Sequence, residues 1–404
     1  MIKRALPVLF GTLLLDMIGA GMVFPIIPII FTDPSSPSFI LQGYSQFGQY
    51  FVAGLVTALF GLMQFIAAPI LGELSDVYGR KRLLTLGVGV LAISQLFFGF
   101  GIEMGSLALI LFSRAIAGLA GANFSIAQAA IADVSKPEDR AKNFGLVGAA
   151  FGMGFIIGPL LGGWIVGLTK SAAAPFWLAT ALGILNLIFV TFMLPETRRG
   201  MAVQQKKFNI FKGIQNIRTA MLDKEASVLY LVSFVYFAGF SFLTAFMGVL
   251  LVNKFNFDAA GVGTYFGVVG AWIVITQVFI LRFLTKRYSE RQILRFSLLG
   301  LAASIAVSPF LPSAIAVYIV VPFIAIPQGL TIANIQALIS KGVSPEKQGA
   351  ALGINGSLIA LASGVIPLVA GIGSGIIGLQ APFLAGGLLV FSAWCLLFWR
   401  ARRS

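Results

Sequence analysis

The sequence predicts an all-α membrane protein whose twelve spanning helices form two six-helix bundles with both termini on the cytoplasmic side. Three observations carry this expectation: a composition too apolar for a water-soluble globule, twelve apolar runs of bilayer-crossing length, and a polar stretch near mid-chain flanked by matching segments. Of the 404 residues, 58% are hydrophobic and 10% charged, with a mean hydropathy of +0.96, so there is too little polar surface to coat a soluble fold. Runs of about 18 to 27 residues suit the roughly 20 that a helix needs to cross ~30 Å of hydrocarbon. They are continuous, where the strands of a barrel would alternate.

The spans fall near 5–31, 48–71, 83–102, 106–132, 142–167, 174–195, 227–252, 260–284, 292–310, 313–339, 349–373 and 379–399. The first run follows Lys3 and Arg4 as a signal peptide would. It is much longer than an h-region of about 7 to 15 residues and lacks a small-residue cleavage site, so it is expected to remain as a helix.

Twelve spans put both termini on one side, and the loops of that side, with the span ends that border them and the termini, hold 25 of the 28 Lys and Arg residues. The opposite loops hold Lys170 and Lys254, and Arg114 lies within a span. The positive-inside rule makes the rich side cytoplasmic, and the net charge of +14 is then topology rather than a sign of nucleic acid binding. The single cysteine, Cys395, excludes an internal disulfide and a cysteine metal site. With no histidine either, the commonest general base and metal ligand is missing. No nucleophile, base and metal constellation points to an enzyme, and no cofactor or metal is expected.

GANFSIAQAAIADVSKPEDRAKNFG (121–145) and GLTIANIQALISKGVSPEKQGAALG (329–353) align at an offset of 208 residues. Gly121 meets Gly329, Gln128 meets Gln336, and Pro137 and Glu138 meet Pro345 and Glu346. Ser135 and Ser344 read as N-caps of the helices that follow, with acids in the first turn. The repeat predicts two bundles of parallel topology, 1–195 and 227–404, joined by a cytoplasmic linker, 196–226. Within the linker, Phe208, Phe211, Ile214 and Ile217 share one helical face, which suits a helix lying on the anionic leaflet; a plain linker is the alternative.

Two ionisable residues lie well inside the spans. Asp16 is about 17 Å deep at 1.5 Å per residue, and Arg114 about 13 Å from the opposite surface. Each alone costs at least about 2.5–3.5 kcal/mol, so they are expected to face an interior cavity and each other, or water. A conformational change that alters the burial of Asp16 or its distance from a cation makes it bind or release a proton, which would couple an ion gradient to movement. A static ion pair that only orients two helices is the alternative. The neutral polar residues Gln64, Asn123, Tyr236, Gln277, Gln328, Asn334 and Asn355, with Phe24 and Phe240, are candidates for binding a largely apolar organic molecule that carries a few hydrogen-bonding groups. The plainer role for a membrane amide is to bond neighbouring helices.

Two motifs are firmer. In GELSDVYGRKRLL (72–84), Gly72 and Gly79 allow a tight turn, Asp76 can accept from helix N-terminal amides, and the basic run can meet an acid on a neighbouring helix end, with Asp133 a candidate. In GMGFIIGPLLGGW (152–164), Gly154, Gly158 and Gly162 recur every four residues around Pro159, so that helices approach closely and the span kinks.

With these motifs in hand, the chain resembles the major facilitator superfamily over essentially its full length. GELSDVYGRKR is similar to the family's signature between helices two and three, RAIAG to its fourth-helix motif, and GFIIGPLLGG to the fifth-helix motif of antiporters. LLDMIGAGMVFPIIP, GLMQFIAAPILGELSD and IADVSKPEDRAKNFG resemble bacterial tetracycline and drug:proton antiporters of twelve helices. The resemblance implies alternating access in a bacterial inner membrane, with Asp16 and Arg114 in proton coupling and Gly72, Asp76, Gly79, Arg80 and Asp133 in a cytoplasmic latch. Departures stand beside it: Val77 replaces a basic residue, Ser94 and Gln95 stand where the best-known tetracycline exporters carry a helix-three acid, and Ile273 takes the place of a helix-eight histidine, while Gln277 is kept. The expected protein is a monomeric, proton-coupled exporter of small amphipathic compounds. A metabolite or sugar-like carrier, or a membrane scaffold or receptor that does not transport, are the alternatives.

Overall fold

The structure, a computed structural model, describes residues 2–135, 140–198, 212–222, 227–343 and 348–401. Among them there is no strand, and twelve helices are long and apolar enough to cross a membrane: Ala5–Thr32, Gln46–Tyr78, Arg80–Glu103, Leu107–Val134, Val147–Thr169, Ala174–Met193, Ser227–Phe255, Ala259–Leu284, Glu290–Phe310, Ala314–Lys341, Ala351–Ile376 and Ala381–Phe398. These are the first to twelfth spans below. The second runs seven residues past its predicted end at 71, to Tyr78. Hydropathy marks where lipid stops, whereas a helix goes on for as long as its own backbone bonds are made. Gly72 therefore lies inside a helix, with nothing within 4 Å of the place a Cβ would take, and the expected turn belongs to Gly79 alone, at φ +96°.

Two spans that read as continuous are broken. The first is helical over Ile2–Gly21 and again over Ile26–Thr32, because Pro25 brings no N–H to the ladder and its ring crowds the preceding turn. The fourth is helical over Leu107–Ala120 and Asn123–Val134, with Gly121 and Ala122 between. The eighth passes through a π turn at Thr276–Ile280. The tenth, which carries the repeat partner Gly329, stays helical from Ala314 to Lys341 despite Pro322 and Pro327.

The chain divides into two compact units. The first holds Met1–Gln42, Leu62–Lys212 and Asp258–Gly267; the second holds Gly43–Gly61, Gly213–Phe257 and Val268–Ser404. The division follows packing as well as chain order. In the first unit the opening turns of the eighth span lie on the fifth at Pro159 and Gly163. In the second, the first half of the second span lies on the eleventh at Gly364 and Pro367. The core of the first unit gathers Val8, Leu9 and Leu13 of the first span with Leu84 and Val88 of the third, Ile126 and Ala130 of the fourth, and Val190 of the sixth, all buried.

The backbone that Ser135 is expected to cap, residues 136–139, lies outside the described residues. Ser135 ends the fourth span, where its hydroxyl donates to the Ile131 carbonyl (2.6 Å) and accepts from Asn143 Nδ2 (2.8 Å). Ser344, the Pro137–Glu138 and Pro345–Glu346 pairs, and Phe208 and Phe211 lie outside the described residues. The linker helix is described from Lys212 to Leu222. Ile214 is exposed on it, and Asn216 Nδ2 donates to Ser357 Oγ of the eleventh span (3.0 Å).

Candidate functional site

The break in the fourth span brings an amide to Asp16. Where the fourth span parts at Gly121, a backbone carbonyl loses its partner, and Gln64 Nε2 of the second span donates to it (2.9 Å). The helix restarts at Asn123, whose Nδ2 donates to Asp16 Oδ2 (3.0 Å). From the sixth span Asn186 Nδ2 donates to Asp16 Oδ1 (3.0 Å) and to the Thr12 carbonyl (3.3 Å). One turn further along the first span, Gln95 Nε2 donates to the Gly19 carbonyl (3.3 Å). Asp16 is partly buried, while Asn123, Asn186 and Thr12 are buried, the last two fully. Asn123 Oδ1, Asn186 Oδ1 and Thr12 Oγ1 are enclosed without a hydrogen-bond partner.

Arg114 is elsewhere. It sits in the other half of the broken fourth span, its guanidinium 4.5 Å over the ring of Phe98. That ring stacks on Phe176 (4.2 Å, 14°), and Arg114 Nε is enclosed without a partner. The expected pairing of Asp16 with Arg114 is not made: amides balance the carboxylate, and an aromatic face balances the guanidinium.

The fifth span packs on the first beside this carboxylate. A Cβ on Gly158 would stand 2.6 Å from the Ile18 carbonyl oxygen and 2.8 Å from Gly21 Cα, and one on Gly162 would stand 2.7 Å from the Met22 oxygen. Gly154 lies against Met17. The glycines therefore set the seam on which the Asp16 helix rests, and Pro159 Cδ lies 2.9 Å from where Gly21 would carry a Cβ. Phe24, in the break of the first span, meets Phe155 (5.4 Å) and Phe266 (5.3 Å) rather than a polar group.

Of the residues expected to form a latch, Asp76, Arg80 and Asp133 meet in one cluster. Arg80 Nε bonds Asp133 Oδ2 (3.1 Å), Nη2 bonds Asp76 Oδ1 (2.6 Å), and Nη1 donates to Ser75 Oγ (2.5 Å). Asp76 does not accept from helix amides as expected; it takes a second guanidinium, Arg198 Nη1 (2.6 Å). The amides go to Glu196, which accepts from the backbone N–H of Arg80 (3.0 Å) and of Lys81 (3.2 Å). Its carboxylate fills the space beside Gly79 that a side chain would take. This is an anion at a helix N-terminus.

The family is decided by the length of the match. The sequence profile of the Major Facilitator Superfamily matches residues 9–349 and 229–404. The chain belongs to the Major Facilitator Superfamily. Tetracycline resistance protein, class C, of Escherichia coli is 30% identical to it over 376 residues, 91% of this chain and 89% of that protein. Multidrug resistance protein 2 of Bacillus subtilis (strain 168) is 24% identical over 409 residues, covering 100% and 96%. The crystal structure of the human organic anion transporter MFSD10 (TETRAN) shares the fold, with a TM-score of 0.74, 24% identity, and coverage of 98% of this chain and 99% of that one. Membership makes the protein a multi-pass membrane transporter and not an enzyme.

In this superfamily member two pairs of polar residues in the second unit tie helices to one another. Tyr236 Oη donates to Gln328 Oε1 (2.6 Å), and Ser233 Oγ donates to Asn355 Oδ1 (2.6 Å), so one face of the seventh span holds both the tenth and the eleventh. Phe240 stacks on Tyr236 (6.3 Å). Asn334 turns back to the Leu330 carbonyl of its own helix (2.7 Å). Gln277 lies in the π turn of the eighth span. Sequence reasoning passed over Asn186, Glu196 and Arg198. A lone asparagine in an apolar run is a signal for the first, and an acid three residues beyond the sixth span is one for the second.

Proposed function

We propose that the protein exports small amphipathic organic compounds across the inner membrane in exchange for protons, by alternating access, as a monomer with both termini cytoplasmic. Residues 1–195 and 227–404 act as the two bundles on either side of the 196–226 linker. One observation carries the reading: Asp16 sits inside the first span with neutral amides and, among the described residues, no counter-cation. A carboxylate held that way changes its proton occupancy when its surroundings move, and the surroundings here are two broken helices and a glycine seam. The names of the relatives, tetracycline and multidrug resistance among them, support an organic cargo. Phe24, Gln64, Asn123, Tyr236, Phe240, Gln277, Gln328, Asn334 and Asn355 remain the proposed binding set. Arg114 assists coupling from its separate aromatic site, and the Arg80 cluster acts as the latch.

The test uses the purified protein in proteoliposomes, after a thermal-shift screen of drugs and metabolites has supplied a ligand. Asp16→Asn keeps the side-chain size and cannot titrate. Uphill export driven by a pH gradient should be lost while ligand binding stays measurable. Full gradient-driven accumulation by this variant would make Asp16 structural and end the reading.

A further inference from the structure

We infer that Asn186 is a positioning residue that holds Asp16 in both of its protonation states, by turning its amide while Asn123 stays fixed. The inference rests on Asp16 as the proton carrier and adds the device that accommodates the proton. An ionised carboxylate only accepts hydrogen bonds, and each Asp16 oxygen receives one amide N–H, from Asn123 and from Asn186 (3.0 Å each). A protonated carboxyl must also donate. The nearby enclosed acceptors without a partner are Asn123 Oδ1, Asn186 Oδ1 and Thr12 Oγ1. An asparagine turned half a revolution about Cβ–Cγ exchanges donor for acceptor in place, and leaving enclosed polar atoms unpaired is costly. The same two amides therefore serve both states.

The two amides are not equivalent. The oxygen of Asn123 lies where a Cβ of Gly87 would stand, with its amide carbon and nitrogen close behind, so the third span fixes Asn123. Asn186 is the one to turn. In doing so it gives up its bond to the Thr12 carbonyl (3.3 Å), so uptake of a solvent proton by the Asp16 carboxylate loosens a tie between the first and sixth spans. No charge competes for this role among the described residues. The elements packed most on the first span are the second half of the fourth, the fifth and the sixth; the third adds Leu84, Val88 and Gln95, and its charged residues, Arg80, Lys81, Arg82 and Glu103, stand at its two ends. The ionisable group on that half of the fourth is Asp133, bonded to Arg80. The helix that carries the fifth span starts ahead of it, at Arg140, and Lys142 is about 18 Å along that helix from Gly154 at 1.5 Å per residue. The sixth carries no ionisable residue.

The test follows the carboxyl infrared band that disappears in Asp16→Asn, titrated in proteoliposomes, together with the pH profile of export. Asn186→Leu keeps the volume and removes both donor and acceptor. The charged form loses an N–H donor, so the midpoint of the band should move about one pH unit toward alkaline, the size of a lost charge-assisted hydrogen bond, and the export profile should move with it. Gly87→Ala touches neither the carboxylate nor Asn186 but displaces Asn123, the other amide bonded to Asp16, and should move the band in the same direction. An unchanged midpoint in Asn186→Leu overturns the inference. Should that variant not reach the membrane, an unchanged midpoint in Gly87→Ala overturns it and a displaced one supports it. Normal uphill export by Asp16→Asn sinks the coupling reading alone, since the band of the amide variants reports the switch independently.

Discussion

Asp16 and Arg114 are the deep charges of the first unit, and each is met by a different chemistry. Two amides from separate helices bond the carboxylate; a phenylalanine ring receives the guanidinium. Because they share no partner, their removal should be independent. In a double-mutant cycle of Asp16→Asn and Arg114→Met, read by thermal unfolding of the solubilised protein, the two effects should add within about 0.5 kcal/mol, as for separate sites. A coupling above about 1 kcal/mol would show that they meet in a populated state. Glu196 is a second residue whose role comes from its neighbours. Its carboxylate takes the first amides of the third span, and Glu196→Ala should lower stability by about 1 kcal/mol, the usual size of a lost N-terminal cap.

At the scale of elements, the seam between the first and fifth spans depends on close backbone approach, and its glycines differ in kind from Gly72. Gly158→Leu forces a side chain into the Ile18 carbonyl and Gly21, where overpacking costs typically about 1–3 kcal/mol and shifts backbone. The variant should reach the membrane folded yet fail to transport, and normal export would show the seam to be incidental. Gly72→Ala is its control. Nothing lies within 4 Å of the new methyl group, and alanine is the better helix former by about 1 kcal/mol, so transport should persist and the melting temperature should rise slightly. The broken spans follow the same logic, since a carbonyl freed at Gly121 is tolerated because Gln64 reaches it.

For the whole molecule, the proposed latch and topology can be read together. Arg80 gathers Ser75, Asp76 and Asp133 with its side chain 8% exposed, so its removal takes one partner from each of the three. If the cluster forms in one transport state and loosens in the other, Arg80→Ala moves the balance by that difference. Cys395 is the single cysteine, so Cys395→Ser gives a background for cysteines placed one at a time in the loops. Positions in the 72–84 region should react from the cytoplasmic side and positions near Ser35 from the other. In Arg80→Ala, cysteines lining the proposed cytoplasmic entrance should become severalfold more reactive, and unchanged labelling would reject the latch.

The sequence by itself determined the class, the twelve spans and the family, because hydropathy over about 20 residues is a local property that the bilayer reads directly. It also marked Asp16, since a charge in hydrocarbon is conspicuous whatever surrounds it. It pointed to Arg80 with Asp133, and to the glycines at fourfold spacing, because basic residues at a helix start and small residues at helical period keep their meaning in any packing. What meets Asp16 could not be read this way. Asn186 lies 170 positions away, in a span with no other sign of function, and Asn123 reaches the carboxylate because the fourth helix restarts there. The pairing of Asp16 with Arg114 failed for the same reason: depth in the membrane follows from counting residues, while direction around a helix follows from which neighbours it packs on. Tertiary structure decided the partners, the breaks and the cap made by Glu196, because each depends on backbone groups whose hydrogen bonds are completed from another helix.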